Sequence, residues 1–367
     1  MHRGTTPPLL GPLSLIMSWD TVESDPAVFS DLLEALGVRG LELTELYDLS
    51  TNSLSLLRPV GLLFLFKYVG ASGASKTGVL EDITSPDAPW FALQTVNNAC
   101  GTQALLHILL NSDAAAHDFD LGDTLRAFKD FTAGLPPRDR GNCLEACDAV
   151  REAHNSFARP EPFINDERRA KKSDDVFHFS AFVPSRAGDV AFELDGLARG
   201  PVRLPPSSDG EAGWVASAAE ALRKRIDGYT GGELRFTLLA VVRDARFVAR
   251  DAARVAQDEL DEVCGALLSL EGQADGDEAS ALRAREVALR VNIAAAEAAE
   301  TAANERRADW AAENARRRHN FVPLLLALLR GLADAKKLEG LLALGRADET
   351  AAASRRKAEK ALQQQGR

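Results

Sequence analysis

The sequence is poor in the features of a disulfide-stapled, metal-bound, membrane-spanning or nucleic-acid-binding protein. Its four cysteines, Cys100, Cys143, Cys147 and Cys264, are spread through 367 residues and lack the dense pattern of a disulfide scaffold. Such sparse usage points to a reducing compartment. Cys143 and Cys147 are followed by His154, but no second ligand pair completes a zinc site, so no metal is expected. Long apolar runs are missing too. Leu9 to Met17 is broken by Gly11 and Pro12, and Leu324 to Leu329 is under two helical turns, too short to span a bilayer. Basic charge is short, with a formal net charge of -11. That balance argues against nucleic acid as a main partner and suits a basic polypeptide.

What is present is a chain that can bury a core. Hydrophobic residues make up 46% of it, enough for one large domain plus an appendage. Ser24-Asp25-Pro26 reads as a helix start, and the run to Leu36 places Val28, Leu32 and Leu36 on one stripe that Gly37 ends. Val60 to Val69 is almost continuously apolar and reads as a buried central strand. Ala71 to Pro89 reads as a surface loop and Leu121 to Phe131 as a helix. Trp214 to Tyr229 reads as an amphipathic helix and Leu234 to Val242 as a closing strand. The charged stretch Glu167 to Asp175 reads as a solvated loop.

The stretch that carries chemistry is Gln94-Thr-Val-Asn-Asn-Ala-Cys100-Gly-Thr-Gln-Ala. Leu105, Ile108 and Leu109 recur at helical spacing, so a helix begins near Cys100 and turns one face inward. Asn97-Asn98 suits a cap or tight turn. A cysteine at a helix start meets unpaired backbone N–H groups and the positive end of the helix dipole, which favour the thiolate. Gln94 carries an amide that can donate to an oxyanion. Taken alone, Cys100 fits a small buried thiol on a core helix better. His107 is about 10 Å along the same helix, a poor candidate base.

A second stretch supplies a base. Val176 to Val183 and Val190 to Leu194 read as two strands of a hairpin. A four-residue loop, Ser185 to Gly188, pairs Pro184 with Asp189. Counting back along both strands then sets His178 directly opposite Asp195, at a Cβ separation of roughly 4.5–5.5 Å. A carboxylate there can hold the imidazole's tautomer while the other ring nitrogen serves a thiol. By itself the hairpin fits a partly buried histidine with a solvated Asp at the strand's end better, and a one-residue slip would break the pair.

The run Gln-x-x-Asn-Asn-Ala-Cys-x-Thr-Gln-Ala resembles the active-site signature of the ubiquitin C-terminal hydrolases, which are cysteine proteases. Three further stretches agree in the family's order: Trp19 to Pro26, Pro59 to Lys67, and Asp175 to Phe179 with Glu193 to Leu197. The resemblance implies an α+β fold, a papain-like catalytic domain whose antiparallel sheet is flanked by helices, with a C-terminal helical extension. It implies a thiol-dependent deubiquitinase with Cys100 as nucleophile, His178 as general base and acid, Asp195 orienting His178, and Gln94 stabilising the oxyanion. No cofactor is implied. By its position, Thr132 to Asn142 is expected to cross over the active site. Tyr47 stands where relatives often carry Trp.

The expected organisation is a disordered extension over 1–17, a catalytic domain over 18–246, a long helical linker over 247–318, a docking helix within 319–350, and a basic disordered tail over 351–367. A long helix is expected from Ala279 to Arg318. Val322 to Leu344 is expected as one helix carrying ten leucines. So much leucine on a tail helix needs a partner surface. Arg316 to Leu324 resembles the tail motif of the family's proteasome-associated member, which docks on a proteasomal ubiquitin receptor and can join a chromatin-remodelling complex. The expected contact residues are His319, Asn320, Phe321, Leu324, Leu325, Leu328 and Leu329. That resemblance implies ubiquitin-chain trimming in cytoplasm and nucleus. One rival is a nuclear relative acting on ubiquitinated histone, which carries a far longer insert than the roughly seventy residues here. The other is a ubiquitin-binding scaffold with dispensable catalysis, against which the intact Gln, Cys, His and Asp positions speak.

Overall fold

The computed structural model describes residues 19–67, 78–158, 177–228, 236–270, 276–344 and 346. The expected extension at 1–17, the loop at 167–175 and the tail at 351–367 lie outside them. Two compact units divide the described chain, one ending at Arg317 and one beginning at Arg318. In chain order the first opens with α1 (Pro26–Ala35), β1 (Leu41–Glu45), α2 (Thr51–Leu57), β2 (Gly61–Lys67), β3 (Val79–Leu80) and α3 (Cys100–Asn111). It continues with α4 (Asp123–Thr132), α5 (Pro137–Glu145), α6 (Asp148–Asn155), β4 (Phe177–Pro184), β5 (Ala191–Leu194) and β6 (Val202–Arg203). Then come α7 (Trp214–Asp227), β7 (Phe236–Arg243), α8 (Ala245–Ser269) and α9 (Asp277–Arg318). The second unit holds α10 (Val322–Asp334).

The strands form one antiparallel sheet in the order β1-β7-β2-β4-β5-β6-β3. β2 lies between β7 and β4, buried on both faces as its apolar run predicts. Alternation along it feeds two cores. Leu63 and Leu65 join the large cluster built on α1 and α3, whereas Leu62, Phe64 and Phe66 join a second cluster with α7. α1 starts as read: Asp25 caps it by accepting from the Ala27 N–H at 2.8 Å. The expected loop over Ala71 to Pro89 contains the short edge strand β3.

Three expectations need correction. α3 turns no single face inward, because Gly101 to Leu110 are all buried. The polar residues among them bond internally, Thr102 to His154 Nδ1 at 2.7 Å and Gln103 to the Ala92 carbonyl at 2.7 Å. Thr132 to Asn142 is no strap over the site. Its second half starts α5, which docks on the Trp90 to Leu93 segment: the Leu93 N–H donates to Pro137 O at 2.9 Å, and Arg140 lies over the Trp90 ring. Val322 to Leu344 is not one helix. Its first segment ends at Asp334, and Lys336 adopts φ 54°, a left-handed residue that turns the chain before helix resumes at Leu338.

Within the expected helical linker, α8 and α9 are packed. α8 and α9 pair through Ala256, Leu260, Val263 and Leu289. α9 then returns along the catalytic core through charge rather than apolar bulk, as its alanine content requires. Arg306 meets Glu42 at 2.9 Å, Arg307 meets Glu34 at 2.7 Å and Asp31 at 3.3 Å, and Asn314 donates to Asp31 at 2.7 Å.

Candidate active site

Cys100 is the first residue of α3, half-buried. Asn97-Asn98 makes the turn before it: Asn98 takes φ 65° and its amide donates to the Trp19 carbonyl at 3.0 Å. The cap position falls on Ala99, which provides no side-chain cap. The first-turn amides of α3 are therefore left to a ligand, with the helix dipole behind them. Gly101 is required there. A Cβ on it would stand 2.8 Å from the Phe29 ring and 3.2 Å from Phe179. A cleft of about 920 Å³ opens over Cys100, lined by Thr21 to Asp25, Asn98, Gly101, Thr102, His154, Phe177 and Phe179, and by Glu313 and Arg317 from the end of α9.

His178 is the second residue of β4 and is buried. Its Nε2 lies 2.6 Å from Asp195 Oδ1, and the ring also hydrogen-bonds the Cys100 thiol. The expected pair forms, but by a different register. Pro184 pairs with Ala191, so the connection has six residues and β4 and β5 are displaced by two relative to the four-residue loop. A two-residue slip preserves side-chain parity, so Asp195 keeps the face of His178 and reaches it along the diagonal. A one-residue slip would have turned it away.

The electrostatics follow from this geometry. Burial alone favours the neutral ring of His178, yet hydrogen bonds to Asp195 and to the Cys100 thiol outweigh it and raise the imidazole to about 9. Burial likewise pushes Asp195 up, and the hydrogen bond and charge of His178 outweigh it, holding the carboxyl below its ordinary range. The resulting set places a charged imidazole between the Asp195 carboxylate and the sulfur of Cys100. Gln94 is tied in beside it. Its N–H donates to Gly196 O at 2.8 Å and its amide donates to Val96 O at 2.9 Å, leaving a second amide hydrogen. Gly196 permits this contact, since a Cβ there would sit 3.1 Å from Gln94 Cβ.

The two histidines set aside in the sequence are structural. His107 accepts from the Ala92 N–H at 3.2 Å, and burial lowers it to about 4. His154 donates from Nε2 to the Asp20 carbonyl at 2.6 Å, tying the Trp19 to Asp25 segment to the cleft. Sequence reasoning missed the residues behind the imidazole. Phe66 stands opposite His178 in the β2–β4 register, and Arg225 of α7 covers Phe66 while pairing with Glu193. Their one signal in the sequence is Glu193 itself, a carboxylate between Phe192 and Leu194 in a buried strand. The expected tail contacts gather in the second unit: no residue of α10 is buried, and the rings of His319 and Phe321 meet edge-on at 4.6 Å.

Comparison with known proteins bears on this arrangement. The model of ubiquitin carboxyl-terminal hydrolases, family 1, matches residues 19–227, and a second model, of a C-terminal region of ubiquitin carboxyl-terminal hydrolases, matches 293–338. The chain is 33% identical over 336 residues to ubiquitin carboxyl-terminal hydrolase isozyme L5 of Dictyostelium discoideum, covering 88% of this chain and 94% of that protein. It is 36% identical over 314 residues to ubiquitin carboxyl-terminal hydrolase 2 of Schizosaccharomyces pombe, covering 85% and 90%. The crystal structure of Trichinella spiralis UCH37 bound to ubiquitin vinyl methyl ester superposes with a TM-score of 0.50 at 32% identity, over 76% of this chain and 99% of that one. A thiol, an imidazole and a carboxylate joined at the start of a helix thus stand in a chain that belongs to the ubiquitin carboxyl-terminal hydrolase family, the cysteine-peptidase deubiquitinases.

Proposed function

We propose that Cys100, His178, Asp195 and Gln94 carry hydrolysis at the C-terminal glycine of ubiquitin. The observation behind this reading is the imidazole of His178 bonded at once to Asp195 and to the Cys100 thiol. The thiolate of Cys100 attacks the glycine carbonyl, and the electron pair moves onto its oxygen. First-turn amides of α3 and the second amide hydrogen of Gln94 hold that oxyanion. His178 gives its proton to the leaving amine as the C–N bond breaks, leaving a thioester. Neutral His178 then takes a proton from water, hydroxide adds to the thioester, and the thiolate departs. Asp195 keeps Nε2 occupied, so the other nitrogen serves this relay.

Ubiquitin is the bound partner, and the acidic net charge suits its arginine-containing tail. Incubation with a ubiquitin-based electrophilic probe tests the assignment. The adduct is expected on Cys100 by mass spectrometry and absent in Cys100→Ala; labelling of Cys143, Cys147 or Cys264 instead overturns it.

The exposed leucines of α10 support a second, finer reading: docking on a proteasomal ubiquitin receptor through His319 to Leu329. Chain trimming at the proteasome, in cytoplasm and nucleus, follows from that reading. Coverage of 94% and 90% of the two relatives above favours it over a histone-directed enzyme with a long insert.

A further inference from the structure

Behind the imidazole, on the side away from the thiol, lies a second buried ion pair. Arg225 Nη1 meets Glu193 Oε1 at 2.5 Å, with only 12% and 4% of their side chains exposed. The guanidinium lies 3.9 Å from the centroid of Phe66 and 5.3 Å from that of Phe64. The edge of Phe66 in turn meets His178, with centroids 5.8 Å apart and planes at 89°. Glu193 is two residues from Asp195 along the chain. An ion pair buried this deeply gains little net stability over apolar residues of equal volume. Its placement against the imidazole's two supports calls for another role.

We propose that Glu193 and Arg225 are positioning residues of the reaction, an electrostatic counterweight that sets how tightly His178 holds its proton while Phe66 fixes its ring. The deubiquitinase reaction of Cys100 and His178 is the premise. Asp195 and Cys100 act on the imidazole directly. Behind it stands the Arg225–Glu193 pair, reaching it across the Phe66 ring, while His107, which shares the field of Asp195, is kept neutral by burial. Asp195 feels the Arg225 cation, which helps hold its carboxyl low after the hydrogen bond from His178 and against burial. The Arg225 cation disfavours a second cation at His178, and the Glu193 anion favours it. As a pair they nearly cancel, leaving the proton on His178 poised by Asp195 and the thiol. Removing one member must therefore move the imidazole in a direction set by the charge that remains.

The test is the alkaline limb of the kcat/KM profile with a ubiquitin C-terminal fluorogenic amide, where loss of the His178 proton ends activity. Glu193→Gln keeps the shape and an acceptor oxygen, removes the anion that favours the imidazolium, and should move the limb down by roughly half a pH unit or more. Arg225→Gln leaves Glu193 uncompensated and should move it up. Arg225→Lys, which keeps charge but loses the planar stack, should leave the limb in place and lower kcat. The double variant Glu193→Gln/Arg225→Gln should return it to the wild-type position. Wild-type turnover stands apart from these shifts and secures the premise. An unmoved limb in folded Glu193→Gln, or a shift of the same sign in both single variants, overturns the proposal. If Arg225→Gln fails to fold, the direction of the Glu193→Gln shift decides alone.

Discussion

At the scale of single residues, the Asp195 carboxylate and the His178 imidazole do different work although they share one hydrogen bond. His178 moves the proton, so His178→Ala should cost about 10²–10⁴-fold in turnover of a small ubiquitin substrate. Asp195→Asn should cost less, because the amide oxygen can still accept from Nε2 while the charge is lost. Equal and total loss in both folded variants would mean that Asp195 does more than orient. His178 and Asp195 were legible in the sequence as residue types near a hairpin. Their register was not: the sequence reading closes a four-residue loop and starts the second strand at Val190, whereas six residues connect the strands and β5 starts at Ala191. The pair survived that error because the slip was even.

Among the elements, the buried strand β2 and the helix opened by Cys100 are visible in their apolar runs, and Asp25 announces α1. The ion-paired seam of α9 is not, because Arg306, Arg307 and Asn314 make contacts with no periodic signature. Nor does sequence alone mark the left-handed turn at Lys336. The seam makes a direct prediction. Arg307, of which 6% is exposed, should cost roughly 2–3 kcal/mol when replaced by Ala, because Glu34 keeps Arg246 and Asp31 keeps Asn314 as partners. Chemical denaturation reads this directly, and a change within 0.5 kcal/mol, about that of an ordinary surface substitution, would refute it. The leucines of α10 predict the opposite behaviour. Leu325 and Leu329 are 53% and 45% exposed, so Leu325→Asp with Leu329→Asp should leave the melting temperature unchanged. Titration against the C-terminal domain of a proteasomal ubiquitin receptor should show affinity falling by orders of magnitude, since each buried leucine contributes roughly 1.5–3 kcal/mol.

For the whole molecule, two buried histidines bend stability in opposite directions with pH. His178 is raised to about 9 in the folded state, so its contribution is complete below about 6.5 and is lost as pH climbs through about 9. His107 is lowered to about 4, so the unfolded chain gains a proton first as pH drops below about 6.5. Stability falls from there to about pH 4, by about 3 kcal/mol in all. Thermal unfolding should therefore peak near pH 6.5. His107→Gln should flatten the acid side and His178→Gln the alkaline side. A peak unmoved by either variant would place the titration elsewhere.

The clamp of α9 also has a consequence for synthesis. Its partners lie 264 to 294 residues apart in the chain: Arg306 with Glu42, Arg307 with Glu34, Asn314 with Asp31 and Arg317 with Glu23. A ribosome delivers the N-terminal partner of every pair first. The nascent sheet must wait, acidic flank bare, until the second half of α9 has emerged. Arg317, which lines the cleft beside Cys100 and pairs with Asp25 at 3.0 Å, is among the last of these residues to arrive. The order of translation thus keeps the thiol cleft unfinished until the end of α9 has been made.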